Sequence, residues 1–392
     1  MKKLQIIFPL VWFGCMLFYG MSLKAECNGA TKDSLVNRDS ASTYLSVGMS
    51  KNKAGDYSSA ISCFTKAIQF DSTLVPAYFN RAHAKNQLLD YKSALADYDR
   101  VLKLKLTWEE SYEAYFNKGL TQTMLKNLKD AMADFDYAIR LNPEFADAYF
   151  NRSIIKGRIG DYSGELEDIN KAISLRPDDS YAYNSRGILK SMMGDYVGAV
   201  KDYNNSIQLN KQNADAYFNR GVILYELKEY LEALKDYDEA IKMKPDAETY
   251  NRRANVKCRL SDYRGAIDDY NNAVKMDTGY FVTYVNRGFL KYDLKDYKSA
   301  IEDYTAAIKL KPDYSLAFYD RGLAKAKLLD HRGAMEDFSV AIEYKPDYDV
   351  AYHERGIVKY ELGDKKGGCQ DLNKAFTLGN DGSYEALVQH CK

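Results

Sequence analysis

A segment of about 34 residues recurs along nearly the whole chain, and this period constrains the fold more than any other feature. One copy begins Ala-Asp-Ala-Tyr-Phe-Asn-Arg-Gly, and similar segments precede and follow it. Ten copies are in phase, and they begin at Ala41, Val75, Tyr112, Ala146, Ser180, Ala214, Ala247, Phe281, Ser315 and Asp349. Self-similarity at this period indicates stacked supersecondary units, because one unit cannot bury its apolar face alone.

Each copy carries two amphipathic patterns separated by a turn signal. With the first tyrosine of a copy numbered column 4, columns 4, 7, 8, 10 and 14 share one helical face, and columns 17, 20, 21, 24, 27 and 28 share another. The turn reads Gly-Asp-Tyr at residues 55–57 and 160–162, and column 32 is often proline. Glycine and aspartate favour a tight turn with a capped second helix, and proline stops that helix. The pattern therefore predicts two antiparallel helices per copy.

The residues at three further columns complete the pattern. Column 8 is small and column 20 is usually alanine, as in Gly187 and Ala199, while column 24 is usually aromatic, as in Tyr203. An aromatic residue, a small residue, alanine, a second aromatic residue and proline at these spacings resemble the tetratricopeptide repeat (TPR) family, from residue 41 to about residue 392. The resemblance implies an all-α fold, a right-handed α-solenoid of about ten 34-residue helix-turn-helix units.

Column 7 departs from the usual TPR pattern, in which an apolar residue is expected. Nine copies have arginine or lysine at column 7 and aspartate at column 23, whereas the first copy has Val47 and Cys63. The pairs are Arg81–Asp97, Lys118–Asp134, Arg152–Asp168, Arg186–Asp202, Arg220–Asp236, Arg253–Asp269, Arg287–Asp303, Arg321–Asp337 and Arg355–Asp371. Joint presence and joint absence predict a contact between the two helices, since a partly buried charge needs a partner.

The N-terminal residues 1–25 have a basic start, an apolar run and a small residue, Ala25, at the end. This composition predicts a secretory signal peptide. An uncleaved membrane anchor is the alternative, because the run approaches spanning length. Lipidation of Cys15 or Cys27 is a third reading, although the residues before each cysteine fit poorly.

Between this segment and the repeats, residues 26–40 are polar without a period, and we expect a linker there. The ten-copy array is assigned to residues 41–382. Its one notable insertion, residues 104–110, is expected to extend a helix or a loop, with a partner contact through Trp108 as the less favoured reading.

The tenth copy is atypical, and residues 383–392 are predicted to form a C-terminal capping helix. The end of the chain resembles the closing cap of exported bacterial TPR and Sel1-like proteins. We predict a disulfide between Cys369 and Cys391, worth about 3 kcal/mol in the chain-entropy model, with two free core cysteines as the alternative. A disulfide requires an oxidising compartment, which export would supply. Cys63 and Cys258 read as solitary structural residues.

Composition excludes several classes of function. Lysine plus arginine and aspartate plus glutamate both number 55, so the formal net charge is zero, and no basic stripe suits nucleic acid. The four histidines and six cysteines have no metal-site spacing, and no phosphate loop or nucleophile motif occurs. We therefore expect no enzyme activity, no metal, no cofactor and no small-molecule substrate.

The resemblance places the first helices of successive copies along a concave groove, which would bind a peptide or protein partner. The candidate partner-binding residues are Phe79, Phe116, Phe150 and Phe218 at column 5, with Asn80, Asn117, Asn151, Asn219 and Asn286 at column 6. Aromatic rings supply anchor area and asparagine bonds an extended backbone, although asparagine at this column also has local roles in TPR helices. Column 2 adds Glu113, Asp147, Asp215 and Glu248. Columns 5 and 9 lack lysine and arginine, so the carboxylate clamp of chaperone-binding TPR domains is not expected.

These features predict a non-catalytic protein–protein interaction scaffold that is exported and is periplasmic, envelope-associated or extracellular in a bacterium. Two alternatives stay open: an assembly or secretion helper in envelope biogenesis, and a regulatory subunit of an enzyme complex.

Overall fold

The computed structural model describes residues 32–104 and 108–391, and the regular structure of these residues is helical, without strands. The described residues divide into two units, one up to Leu209 and one from Asn210 onward. The first unit contains α1 (Lys32–Lys53), α2 (Tyr57–Phe70), α3 (Val75–Gln87), α4 (Tyr91–Lys103), α5 (Trp108–Met124), α6 (Leu128–Leu141), α7 (Ala146–Arg158), α8 (Tyr162–Leu175), α9 (Ser180–Met192) and α10 (Tyr196–Leu209). The second contains α11 (Ala214–Glu226), α12 (Tyr230–Met243), α13 (Ala247–Arg259), α14 (Tyr263–Met276), α15 (Phe281–Asp293), α16 (Tyr297–Leu310), α17 (Ser315–Lys327), α18 (His331–Tyr344), α19 (Asp349–Glu361), α20 (Lys365–Thr377) and α21 (Gly382–His390).

Consecutive helices pack in pairs, from α1 with α2 to α19 with α20, so that each repeat copy is one helical hairpin. The predicted all-α helical repeat fold is confirmed.

A left-handed residue at column 15 makes the turn within each hairpin. Glycine supplies it at Gly160, with φ 86°, whereas Leu89 adopts φ 63° in the same column. The following aspartate caps the second helix, as Asp161 Oδ1 accepts a hydrogen bond from the Gly164 amide at 2.9 Å. The Gly-Asp turn signal thus has the predicted role, and the non-glycine copies each tolerate roughly 1–2 kcal/mol of backbone cost.

Small residues at column 8 allow the two helices of a hairpin to approach closely. A Cβ atom at Gly187 would lie 2.7 Å from Cε1 of Tyr203, the column-24 aromatic residue of the same copy. Gly119 faces Phe135 and Gly322 faces Phe338 in the same way. These aromatic rings, with the column-20 alanines, form the core of each hairpin.

Two boundaries differ from the sequence prediction, and the insertion has one of its two predicted effects. Helix α1 begins at Lys32, so residues 32–40 are helical rather than linker, because the first hairpin extends its first helix toward the N-terminus. Helix α5 begins at Trp108 and has 17 residues, so the insertion lengthens a first helix. Helix α21 begins at Gly382, one residue before the predicted cap, and the structure joins Cys369 to Cys391 by a disulfide with a Cα–Cα distance of 5.7 Å.

Several predictions lie outside the described residues: the signal peptide or anchor, lipidation of Cys15 or Cys27, and the role of the Trp108 side chain. Among the described helices, none combines the length and apolar character needed to span a membrane.

Candidate partner-binding site

The predicted Arg–Asp pairs join the two helices of each hairpin. Arg186 donates from Nε and Nη2 to the two carboxylate oxygens of Asp202, at 2.8 and 2.6 Å. The seven other copies with arginine at column 7 form the same fork, and Lys118 lies 3.6 Å from Asp134. The pairing prediction is therefore confirmed.

A lysine at column 11 extends the pair to a triad in seven copies. Lys190 Nζ lies 2.9 Å from the second oxygen of Asp202, one helical turn after Arg186. The equivalent lysines are Lys85, Lys156, Lys257, Lys291, Lys325 and Lys359. Sequence reasoning missed these lysines, although their spacing of four residues from the arginine would have revealed them.

Two copies lack the column-11 lysine and have Gln122 or Leu224 instead. Burial raises the pKa of Asp134 to about 6, and its Oδ2 atom is buried without a hydrogen-bond partner among the described residues. Burial also raises the pKa of Asp236, although Arg220 opposes the shift. The triad thus compensates aspartates that the packing of each hairpin desolvates.

The same arginines also connect neighbouring copies. Arg152 Nη1 lies 2.6 Å from Asp136 Oδ1, and Arg186 Nη1 lies 2.8 Å from Asn170 Oδ1, in each case on the second helix of the preceding copy. Each guanidinium also lies over the column-4 ring one turn earlier, as Arg186 does over Tyr183 at 5.4 Å. Because Nε, Nη1 and Nη2 of Arg152 and Arg186 each donate inside the array, these residues stabilise the stack.

An open recess lies on the first-helix side of the first unit. The space between its walls, about 320 Å³, includes open solvent. Its lining residues are Phe116, Leu120, Asp147, Phe150, Asn151, Arg176, Asp179 and Tyr181. Phe116 packs edge-on against Phe145 at 4.8 Å, which fixes an aromatic wall beside Leu120.

One side of the recess is charged. Arg176 Nη2 donates to Asp147 Oδ1 at 2.6 Å and to Asp179 Oδ2 at 2.9 Å. Asp179 also caps α9, because its Oδ1 accepts from the amides of Tyr181 and Ala182. Burial lowers the pKa of Arg176, but the hydrogen bonds and negative charges of Asp147 and Asp179 together outweigh burial and raise it. The recess therefore combines an apolar wall with a polar rim held by hydrogen bonds, a combination that ligand-binding concavities commonly present.

The structure brings three of the nine predicted partner-binding residues to this recess: Phe116, Phe150 and Asn151. Phe79, Phe150, Asn80 and Asn151 are buried, so little of these four side chains is accessible to a partner. Column 5 lies between the two helices of a hairpin and packs on the column-24 ring, as Phe79 does on Tyr98 at 5.7 Å. Phe218, Asn219 and Asn286 are half-buried in the second unit, and Asn117 is half-buried in the first.

Most of the predicted asparagines bond within the array. The side-chain amide groups of Asn80, Asn117 and Asn151 donate to the carbonyl group four residues earlier, at 2.8–2.9 Å. Asn286 donates to Asn251 Oδ1 of the preceding copy at 3.0 Å. The side-chain amide groups at column 6 therefore donate hydrogen bonds within the array, as the local role of asparagine in TPR helices predicts. Sequence reasoning left Leu120, Arg176, Asp179 and Tyr181 unassigned.

Family models for the tetratricopeptide repeat match residues 41–73, 79–144, 146–179 and 214–246, and a TPR repeat model matches residues 192–228 and 290–328. Together these matches cover more than half of the chain. The chain belongs to the tetratricopeptide repeat family.

Several solved TPR structures are similar to this chain at low identity. The C-terminal part of a TPR repeat-containing protein from Cytophaga hutchinsonii is 16% identical, with a TM-score of 0.50 over 60% of this chain and 95% of that one. A TPR protein from Parabacteroides merdae is 19% identical, with a TM-score of 0.49 over 64% and 99%. YrrB, described as a TPR protein with an unusual peptide-binding site, is 22% identical, with a TM-score of 0.42 over 48% and 97%. The comparison with curated proteins found no match.

TPR arrays are in general protein-interaction scaffolds, and the chemistry of this TPR chain agrees with that role. In the described ranges, no group of three histidine, cysteine, aspartate or glutamate side chains is arranged to hold a metal ion. The strongest pKa shifts of its carboxylates arise from burial within the stack rather than from a shared reactive centre.

Proposed function

We propose that this TPR protein is a non-catalytic scaffold that binds a peptide segment of a partner protein on the first-helix face of its repeats. The recess lined by Phe116, Leu120 and Phe150 carries the proposal. An apolar side chain of the partner occupies the recess beside Phe116. The carboxylate of Asp147 accepts a hydrogen bond from a backbone amide of the partner, since it keeps acceptor capacity beyond its bond to Arg176.

The proposal includes an exported location in a bacterium, either periplasmic, envelope-associated or extracellular. The basic and apolar composition of residues 1–25 supports it, because this is the composition of a signal peptide. The Cys369–Cys391 disulfide supports it independently, since disulfides persist in oxidising compartments.

The test uses Phe116→Ala, because Phe116 is half-buried, whereas Phe150 is buried and its truncation would disturb the core. The matched control is Phe70→Ala in the same unit, where the ring is 41% exposed on α2, outside the recess. Each variant is cross-linked to partners in the envelope fraction of the source cells, and captured proteins are identified by mass spectrometry. Circular dichroism checks that helicity is unchanged.

A partner captured by the native chain and by Phe70→Ala, and reduced about tenfold or more with Phe116→Ala, is the expected result, because truncating a buried anchor costs about 2 kcal/mol or more of binding free energy. Equal capture by all three chains would contradict the recess as the binding site.

A further inference from the structure

Helix α21 has the register of a first helix that begins an eleventh copy. With Tyr384 as its column-4 tyrosine, this helix places His390 at column 10. The His390 ring lies 4.5 Å from the Tyr360 ring at column 12 of the tenth copy, centroid to centroid. The same two columns meet between the second and third copies, where Asn86 donates to Thr121 Oγ1 at 2.9 Å. Helix α21 therefore stacks on the tenth copy as a first helix stacks on the copy before it.

In a complete copy, the second helix covers the column-4 ring of the first helix. The Phe318 ring at column 4 of the ninth copy packs with Ala341 and Ile342 of α18, and it is only 9% exposed. Helix α21 packs on α19 and α20 of the tenth copy, and no described helix follows it to form a hairpin. Tyr384 is therefore 58% exposed, and Val388, one turn later at column 8, is 47% exposed.

The exposed face of α21 is apolar, although it lies at the end of the described repeats. Phe376 of α20 adds to this face, because its ring is 42% exposed and lies 5.8 Å from the Tyr384 ring. Terminal units of repeat proteins need a polar outer face for solubility, whereas a contiguous apolar patch marks an interaction site. We infer that this cap face, formed by Phe376, Tyr384 and Val388, binds an amphipathic α-helix of a partner protein and so completes an eleventh hairpin.

The hairpins of the array indicate why the occupant is a helix. In the complete copies a second helix covers the face that carries the column-4 ring, so the cap face continues an interface that the chain forms repeatedly. The disulfide between Cys369 and Cys391 joins α20 to α21, and it fixes this face before a partner arrives. A preformed surface lowers the entropic cost of binding.

Two residues of α21 determine the chemistry of the incoming helix. Column 7 holds Leu387 instead of arginine, so an aspartate on the incoming helix would be buried without a cation. Column 8 holds Val388, whereas a Cβ atom at the equivalent Gly322 would already lie 2.7 Å from Cε1 of Phe338. The incoming helix therefore presents an aliphatic residue to column 7 and a small residue, rather than an aromatic ring, to column 8.

The second helices of this chain do not have these residues, which argues against a second copy as the occupant. Nine of them have aspartate at column 23, the position that faces column 7. The exception, α2, has the Phe64 ring at column 24, the position that faces column 8. A helix of another protein is therefore the better match.

The experiment measures binding of the full chain to three fluorescein-labelled peptides based on α18, by fluorescence anisotropy. The matched peptide has Asp337→Leu and Phe338→Ala, at the positions that face columns 7 and 8. The first control is the unchanged α18 peptide. The second control has Glu336→Leu and Ser339→Ala, so that composition changes similarly outside those two positions. Each peptide carries the same hydrocarbon staple, because a helix this short is marginal in water.

The site variant of the protein is Tyr384→Ala with Val388→Ala, and it is expected to fold because both positions are exposed. The matched control variant is Tyr196→Ala with Val197→Ala, which removes the same two side chains from an exposed turn of the first unit. Circular dichroism and a thiol assay check that helicity and the disulfide are unchanged in each variant.

We expect the matched peptide to bind at least about tenfold more tightly than either control peptide, because only the matched peptide avoids a buried, unpaired carboxylate. The site variant loses at least about tenfold in affinity for the matched peptide. The control variant and Phe116→Ala bind it as the native chain does, so the outcome is independent of the recess. Equal affinity for the three peptides, or equal losses in the site and control variants, would overturn the inference.

Sedimentation velocity tests a second copy as the occupant of the cap face. The inference predicts that the native chain and the site variant have the same sedimentation coefficient. Self-association of the native chain that the site variant abolishes would assign the cap face to a second copy and would also overturn the inference.

Discussion

Single residues in equivalent columns show what the ion-pair network contributes. In the ninth copy, Asp337 forms ion pairs with both Arg321 and Lys325. The sixth copy has Leu224 at the position of Lys325, so Asp236 has no lysine partner at that column. Removing one partner of a buried ion pair leaves an uncompensated charge, and this costs more than removing both. The sixth and ninth copies therefore form a natural comparison of a pair with a triad.

Arg220→Met is expected to destabilise the protein by roughly 3 kcal/mol, because Asp236 is left as a buried charge without its fork. Arg321→Met is expected to cost less, because Lys325 still neutralises Asp337. The measurement is the thermal midpoint by circular dichroism. Adding Asp236→Leu to Arg220→Met should recover part of the loss, and equal midpoints for the two single variants would contradict a compensating role of the lysine.

At the scale of an element, the last hairpin and α21 differ from the rest of the array. Gly367 and Gly368 weaken α20, since glycine costs about 1 kcal/mol in a helix relative to alanine. Gly368 also lies very close to α19, the other helix of this hairpin. A Cβ atom at position 368 would lie 2.7 Å from the carbonyl oxygen of Gly356. The disulfide from Cys369 to Cys391 holds α21 over this weakened helix.

Replacing Cys369 and Cys391 by serine is expected to lower the stability of the cap by about 3 kcal/mol, through the entropy of the unlinked chain. Native-state hydrogen exchange should show faster exchange in α20 and α21, with little change in α15 to α18, because repeat stabilities combine through nearest neighbours. The control is Cys63→Ser with Cys258→Ser, which leaves the disulfide intact. Unchanged exchange in α20 would mean that packing alone holds the cap.

At the scale of the whole molecule, buried carboxylates set the pH dependence of stability. Burial raises the pKa of Glu165 and of Asp320 to about 7 each, and that of Asp134 to about 6. Glu165 stands at column 20, where eight copies have alanine, and Gly157 leaves the room for its carboxyl group. Because these pKa values exceed the unfolded values near 4, the folded state binds more protons between about pH 4 and pH 7.

The free energy of unfolding is therefore expected to increase as the pH falls from 8 to 6.5, by about 1 kcal/mol from Glu165 and Asp320 together. Burial lowers the pKa of His83, which opposes this gain below about pH 6.5, so the window ends there. Thermal midpoints at both pH values provide the measurement. Glu165→Gln with Asp320→Asn should remove most of the difference, and an unchanged pH response in that variant would assign it to other groups.

The repeat period and the residues of each column were sufficient to predict the hairpins, their turns and the Arg–Asp pairs. These features depend on contacts within one copy, and the ten copies can be compared with one another. The first copy has Val47 and Cys63 where the second has Arg81 and Asp97. This joint loss of both charges indicated the contact between Arg81 and Asp97 that the structure shows. Helix periodicity and turn chemistry are local, so they can be read from neighbouring residues.

The exposure of the predicted partner-binding residues depended on the packing between helices. Phe79 and Phe150 share a column with Phe116, yet only Phe116 is half-buried, because the residues packed around each ring differ from copy to copy. The recess likewise needs Arg176 and Asp179 from the loop after α8, and the cap needs Cys391 to reach Cys369. The hairpin could therefore be read from the repeat alone. The side chains available to a partner could not, because burial is set by what the adjoining helices place against each position.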